Sequence, residues 1–446
     1  MPEAFESCKR DYITLKMLSI TLVMIIAVST VAIYSIPLNT FYAVNKDFEY
    51  INLEPIFKNL NYSNIVKHIV KISSVNSRVP GYDGYYEVTK YILDTFKKYN
   101  LSTQVQKFPL AVPIDHGTYI AILKEDGRPS KIIRAYALWP NLIQTCRVPP
   151  NKPLSGRLVY VGRGRLDEFV GKDINGSIVL MEFNSGDDWV NAAKLGAKAV
   201  IFIAPEETTY SEARAKFLMT PMYFPRIYVT REDGIFLKEL AERNITVQIV
   251  SDMRWERIEA FNVIGIVNGA DPTRIGDIIA VAAHYDTWSV VPAIAPGVDE
   301  ASSIATLLEL ARYFAEHPPK NTIWFVALSG HYQALAGARW FVEKYWFGER
   351  RKIWFFVGLD FSTDENGTAL LFRGHMYDFG GSVGQRWKKW LEPRILNYYI
   401  PSLESYRGRK YYVESGFTTF NYGWWASVPT PYMLDSEPFS VAHGVG

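Results

Sequence analysis

The sequence predicts an α/β protein with a central, mostly parallel mixed sheet, a β-rich module inserted into it, and one apolar helix ahead of it. Three observations carry that expectation. Apolar runs and helical patterns alternate from Ala301 to Leu359, the order that parallel strands joined by crossover helices require. From Gly117 to about Met253 the texture changes to short β-rich runs. Met17–Ile36 ("MLSITLVMIIAVSTVAIYSI") is uncharged over about 20 residues, enough for a helix to cross a bilayer, and ends at Pro37.

The N-terminal run reads as a membrane anchor, with a cleaved signal peptide as the rival. The run is long and no small-x-small cleavage site follows it. Lys9, Arg10 and Lys16 precede the span while Lys46 and Asp47 follow it, which favours a cytoplasmic N-terminus and an extracytoplasmic bulk, although Glu3, Glu6 and Asp11 dilute the contrast. The expected organisation is a tail over 1–16, the anchor over 17–37, one part of the main domain over 38–112, the insert over 113–255 and the second part over 256–446. Cys8 and Cys146 fall on opposite sides of the membrane in that topology, so burial rather than crosslinking must hold the outer part. Asn61, Asn100, Asn175, Asn244 and Asn366 head glycosylation sequons.

Among 446 residues, 48% are hydrophobic and 21% charged, which excludes a disordered chain. A net charge of +2 gives no electrostatic footprint for nucleic acid. Aromatic residues crowd the last third, between Trp387 and Trp425, and either line an apolar crevice or fill a core.

Ser63–Ser74 and Tyr85–Tyr99 both place apolar residues at helical spacing, with Ser63 as a cap and "RVPGYDG" breaking the chain between them. His68 on the first of these reads as a satisfied or solvent-facing side chain. Within the insert, "GRLVYVG" and "GSIVLMEF" read as strands, and "DDWVNAAKLGAKAVIFI" as a helix that turns through Gly196 into a strand.

Open α/β sheets bind ligands outside the carboxyl ends of their strands. Three apolar strands here end in polar residues: "IIAVAAHYDT" at His284 and Asp286, "NTIWFVALSGHYQ" at His331, and "KIWFFVGLDFS" at Asp360. Between the first two, Pro296–Gly297 makes a turn, Asp299 and Glu300 open a helix, and Ile304, Leu307, Leu308 and Ala311 form its apolar face. Imidazole and carboxylate ligands suit zinc, and a catalytic zinc needs three of them with a position left for water. His284, Asp299 and Asp360 supply such a set if the strand ends converge, with Asp286 accepting the other ring N–H of His284. The competing reading makes Asp299 a helix cap and Asp360 a turn residue.

The ordered segments "HYD", "GVDEASSIATLLELAR", "SGHYQALAGARWFV" and "GLD" resemble the zinc aminopeptidase family. That family includes bacterial leucine aminopeptidases, glutamate carboxypeptidase and glutaminyl cyclase, with transferrin receptor and nicastrin as non-catalytic relatives. The insert, through "GSIVL" and "NAAKLGAKAVIFI", resembles a protease-associated domain, and "SSVNSRVPGYDGYYEVTKYI" is similar to the family's opening helices. The resemblance implies a three-layer peptidase domain in which His284 and Asp360 hold one zinc and Asp299 bridges to a second, with Asp286 behind His284. It also allows a cis bond between Asp299 and Glu300.

Two departures stand beside this resemblance. Where the family pattern reads Gly-Glu-Glu, with the first Glu as general base and the second as a metal ligand, this chain has His331 and Tyr332. A phenol, with a reference pKa of about 10, is a poor substitute for a carboxylate, so one zinc is expected rather than two. His331 then replaces the base, binds metal, or only hydrogen-bonds. The stretch "LDSEPFSVAHGVG" resembles the family's segment before its final zinc histidine, a role that neither His443 nor His375 takes over. A longer polypeptide, completion by another chain and a degenerate site are all open. The expected function is a membrane-anchored extracytoplasmic metallo-exopeptidase acting on peptides. The alternatives are a non-catalytic, receptor-like ectodomain that binds a protein ligand, and a metal hydrolase or acyl transferase that uses His331 in a new role.

Overall fold

A computed structural model describes residues 53–361, 367–370, 394–408, 410, 412–415 and 434–442. The 17–36 run, Asn366, His375, His443 and most of the aromatic stretch between Trp387 and Trp425 lie outside the described residues. Among the described residues no helix is long and apolar enough to cross a membrane.

Ten strands organise two compact units: β1 (Ser102–Leu123), β2 (Pro129–Ala137), β3 (Leu154–Tyr160), β4 (Ile178–Glu182), β5 (Ala199–Ile203), β6 (Arg226–Val229), β7 (Thr246–Val267), β8 (Ile278–His284), β9 (Thr322–Leu328) and β10 (Ile353–Gly358). Among the described residues the first unit takes 53–110, 259–287 and those from 296 on, and the second takes 111–258 and 288–295.

In the first unit the order is β7-β9-β8-β10. The strands β9, β8 and β10 are parallel, and β7 runs antiparallel to β9. Every residue of β8 and β9 is buried, as parallel strands covered on both faces require. The pleat divides them. Ile279, Val281 and Ala283 of β8 join Ile323, Phe325 and Ala327 of β9 against the helices Tyr62–Ile72, Asp83–Lys98 and Ala301–Glu316. Ile278, Ala280 and Ala282 join Trp324, Val326 and Leu328 on the other face, under the helix Ala336–Phe341, Tyr345 and Phe439. The mixed α/β architecture expected from the alternating pattern is therefore present as three layers. On the helix Ala301–Glu316, Ile304, Leu307, Leu308 and Ala311 are completely buried, each large aliphatic contributing about 1.5–3 kcal/mol.

The helices Tyr62–Ile72 and Asp83–Lys98 start earlier than their apolar spacing indicates. Asn61, not Ser63, caps Tyr62–Ile72 by accepting from the Asn64 N–H at 3.3 Å, while its own N–H donates to Glu309 at 2.8 Å. His68 is satisfied between the hydroxyls of Tyr91 (2.7 Å) and Tyr99 (3.1 Å). Burial, reinforced by Lys98, lowers its pKa to about 4. No described peptide bond is cis, so Asp299–Glu300 is trans.

In the second unit β3, β4, β5 and β6 are mutually parallel in sequence, β2 closes antiparallel on β6, and β3 pairs antiparallel with β7. The helix Trp189–Lys194 leads to β5 through Gly196, whose φ of +86° is a left-handed turn that favours glycine.

Candidate active site at the strand ends

Because β9, β8 and β10 are parallel, their carboxyl ends share one edge, and His284 lies opposite Leu328 in register. The loop that follows β9 is folded tightly on itself. Gly337 N–H donates to Ser329 O (2.9 Å) and Ala336 N–H to Gly330 O (2.9 Å). The buried Asn262 clamps its neck, accepting from Ser329 N–H (3.2 Å) and donating to Gly337 O (2.8 Å). Tyr85 accepts from the Ser329 hydroxyl at 3.0 Å. A side chain at Gly337 would meet Ser329 O at 2.2 Å, so only glycine closes this neck. Ala334 and Leu335 both hold left-handed backbone (φ 55° and 56°), strain of order 1–3 kcal/mol each that the clamp supports.

The closed loop delivers His331 beside His284. Their rings stack with centroids 3.9 Å apart and planes at 27°. The Nδ1 atom of His284 lies 3.1 Å from Asp435 Oδ2, and that of His331 lies 3.2 Å from Asp435 Oδ1, so one carboxylate serves both rings. All three side chains are buried, and their ligand atoms lie within 4.8 Å of one another. Burial alone would raise the Asp435 pKa, but the two imidazoles hold it well below the usual carboxylate range. Burial opposes charge on His284 as well. The Asp435 contact and the charges of Asp360 and Asp286 outweigh it and raise its pKa to about 9. Asp286 accepts the backbone N–H of His331 at 3.1 Å, and burial raises its pKa to about 6 against the pull of both histidines. Tyr332 donates to Glu300 at 3.4 Å.

Beside this cluster, Arg78 is fully buried and donates from Nη2 to Gly297 O at 2.6 Å. Burial lowers its pKa to about 10, although Glu300, Asp286 and Tyr332 oppose the shift.

Residues 262–408 match the model of peptidase family M28. That segment is similar to this peptidase family. Over 127 residues the chain is 34% identical to a vacuolar membrane protease of Candida albicans, covering 28% of this chain and 14% of that protein. Over 280 residues it is 25% identical to aminopeptidase YwaD of Bacillus subtilis, covering 60% and 55% respectively. It thus spans less than two thirds of these curated relatives. The crystal structure of BSAP, a zinc aminopeptidase from Bacillus subtilis, shares the fold with a TM-score of 0.51 at 19% identity, over 86% of this chain and 84% of that one.

Similarity to this family points to zinc, and the donors here suit it. His284 Nε2 is buried with no hydrogen-bond partner among the described residues, an orphaned imidazole nitrogen. The arrangement differs from the sequence expectation at three residues. Asp286 does not take the ring N–H of His284, because Asp435 occupies that nitrogen and Asp286 is engaged by the His331 backbone. Asp299 sits in the turn before Ala301, where its backbone oxygen accepts from Ser302 N–H at 3.0 Å, and it is not among the grouped ligand atoms. Asp360 follows β10, exposed, acting on His284 through its charge.

Two contributors were not assigned roles from sequence. Asp435 sits in "LDSEPFS", which the resemblance had singled out only as a segment. Arg78 sits in "RVPGYDG", read only as a helix break, although a charge beside a Pro-Gly turn between two apolar helices was a signal for burial.

Proposed function

We propose that this chain is a zinc-dependent exopeptidase of the aminopeptidase type. In this reading the 17–36 run holds it at a membrane with its bulk extracytoplasmic, an association also suggested by the name of the Candida relative. The observation that supports catalysis best is His284: a buried imidazole at the end of β8, grouped with His331 and Asp435, its Nε2 without a hydrogen-bond partner among the described residues. Zinc bound there would polarise a scissile carbonyl and acidify a bound water. His284 is the imidazole ligand in this reading, and Asp299 and Asp360 are the carboxylates that the resemblance adds. Asp435 keeps the histidine rings oriented. Asp286 braces the His331 backbone with one oxygen, while its other oxygen, Oδ1, is buried and unpartnered, the open proton acceptor of the cluster. Arg78 offsets the negative charge and holds the Gly297 turn ahead of Asp299.

His331 and Tyr332, in place of the family's two glutamates, favour a second reading, a non-catalytic ectodomain that binds a protein ligand on the peptidase fold. Zinc content and aminoacyl-anilide cleavage of the full chain separate the two. The peptidase reading expects bound zinc and cleavage, both lost in His284→Ala. Absence of cleavage by zinc-loaded wild type supports the ectodomain.

A further inference from the structure

We infer that Asn100 and Asn244 carry N-linked glycans, on two turns that the fold builds in the same way. The inference rests on the extracytoplasmic reading of the chain and adds a covalent modification to it.

Each asparagine closes a helix and opens a strand. Asn100 follows the helix Asp83–Lys98 and donates its backbone N–H to Lys97 O at 2.9 Å, while Asn244 follows the helix Arg231–Ala241 and donates to Ala241 O at 3.4 Å. Both hold left-handed backbone, with φ of 59° and 58°. The next residue turns inward: Leu101 is buried in the core of the first unit, and Ile245 packs on the core of the second. The residue after that, Ser102 or Thr246, is exposed at the start of β1 or β7. Each turn thus presents an exposed amide and an exposed hydroxyl two residues later, the Asn-x-Ser/Thr acceptor signal. Among the described residues no hydrogen bond occupies either side-chain amide or either hydroxyl.

The turns alone do not call for this signal. A helix end in left-handed backbone takes glycine most easily and asparagine next, and neither needs a hydroxyl two residues on. Yet the two asparagines with positive φ among the described residues both head sequons. Two other sequons are placed differently. Asn61 spends its side-chain oxygen on the cap of Tyr62–Ile72. Ser177, the hydroxyl of the Asn175 sequon, is buried and donates to Ile174 O at 2.7 Å.

The co-substrate is an oligosaccharide on a polyprenyl pyrophosphate. The amide Nδ2 forms a bond to the anomeric carbon, the bond from that carbon to the pyrophosphate oxygen breaks, the lipid pyrophosphate leaves, and the amide gives up one proton.

The test is expression of the full chain in a eukaryotic secretory host. Sealed microsomes are first treated with trypsin, which reports the side of the membrane that the chain occupies. Protected chain is then purified and treated with peptide N-glycosidase in heavy-oxygen water, and mass spectrometry reads each converted asparagine. Asn100 and Asn244 should be modified in most molecules, and Asn61 and Asn175 in few. Ser102→Ala and Thr246→Ala, which leave the turn residues in place, should each remove one glycan, and Ser102→Thr should keep it. A protected chain with Asn100 or Asn244 bare, or with all four asparagines modified equally, overturns the inference while the topology stands. A chain digested from the cytoplasmic side overturns the topology and the inference with it.

Discussion

In the second unit, Lys216 and Arg226 are fully buried cations whose protons mostly end on backbone oxygens. Lys216 donates to Gly186 O at 2.6 Å and to Glu212 O at 3.3 Å, and Arg226 donates to the carbonyls of Lys216 and Trp139 while its guanidinium lies 5.3 Å over the Trp189 ring, leaving only its Nε without a partner among the described residues. In the first unit, the buried cluster around His284 closes less completely. His284 Nε2, Asp286 Oδ1, and Nε and Nη1 of Arg78 have no hydrogen-bond partner among the described residues. Buried polar groups are ordinarily satisfied, so a charge closed by carbonyls and a ring stabilises a fold, whereas a cluster with several open atoms is suited to a ligand.

Substitutions can break or sharpen that contrast. The largest effect is expected from His284→Ala, which should abolish zinc binding and any aminoacyl-anilide cleavage while leaving the far-UV spectrum unchanged. Restoring the family's residues with His331→Glu and Tyr332→Glu together should raise bound zinc from one to two per chain, measured by elemental analysis. A buried histidine outside the site behaves differently: His68 has its pKa lowered to about 4, so the unfolded chain takes up its proton first as pH falls below about 6.5. Stability should therefore drop between about pH 6.5 and 4, by about 3 kcal/mol from this residue, and be fully present above that window. Urea midpoints for wild type and His68→Phe across the window measure it, and identical pH slopes would refute the assignment. The smallest effect is expected in the second unit, where Lys216→Met should cost about 2 kcal/mol in urea denaturation and leave zinc affinity unchanged.

Apolar patterning made the sheet legible. The runs ending at His284, Leu328 and Gly358 are buried on both faces, and burial of that kind is written locally as uninterrupted apolar sequence. The helix Ala301–Glu316 was equally plain from its spacing. Asp435 was not, because it lies 151 residues from His284 and 104 from His331, and no local spacing encodes such a meeting. Asp286 was expected to accept a ring N–H of His284 and does not for a related reason: its nearness in sequence to His284 says nothing of which group competes for that ring. The cap at Asn61 was missed because Glu309, far along the chain, engages its backbone N–H.

The central claim is that the strand-end site around His284 is a metal centre. Zinc titration of the metal-stripped full chain tests it most directly. The account predicts one zinc per wild-type chain and none in His284→Ala. Wild-type protein that takes up no zinc, or His284→Ala protein that binds it unchanged, would contradict it.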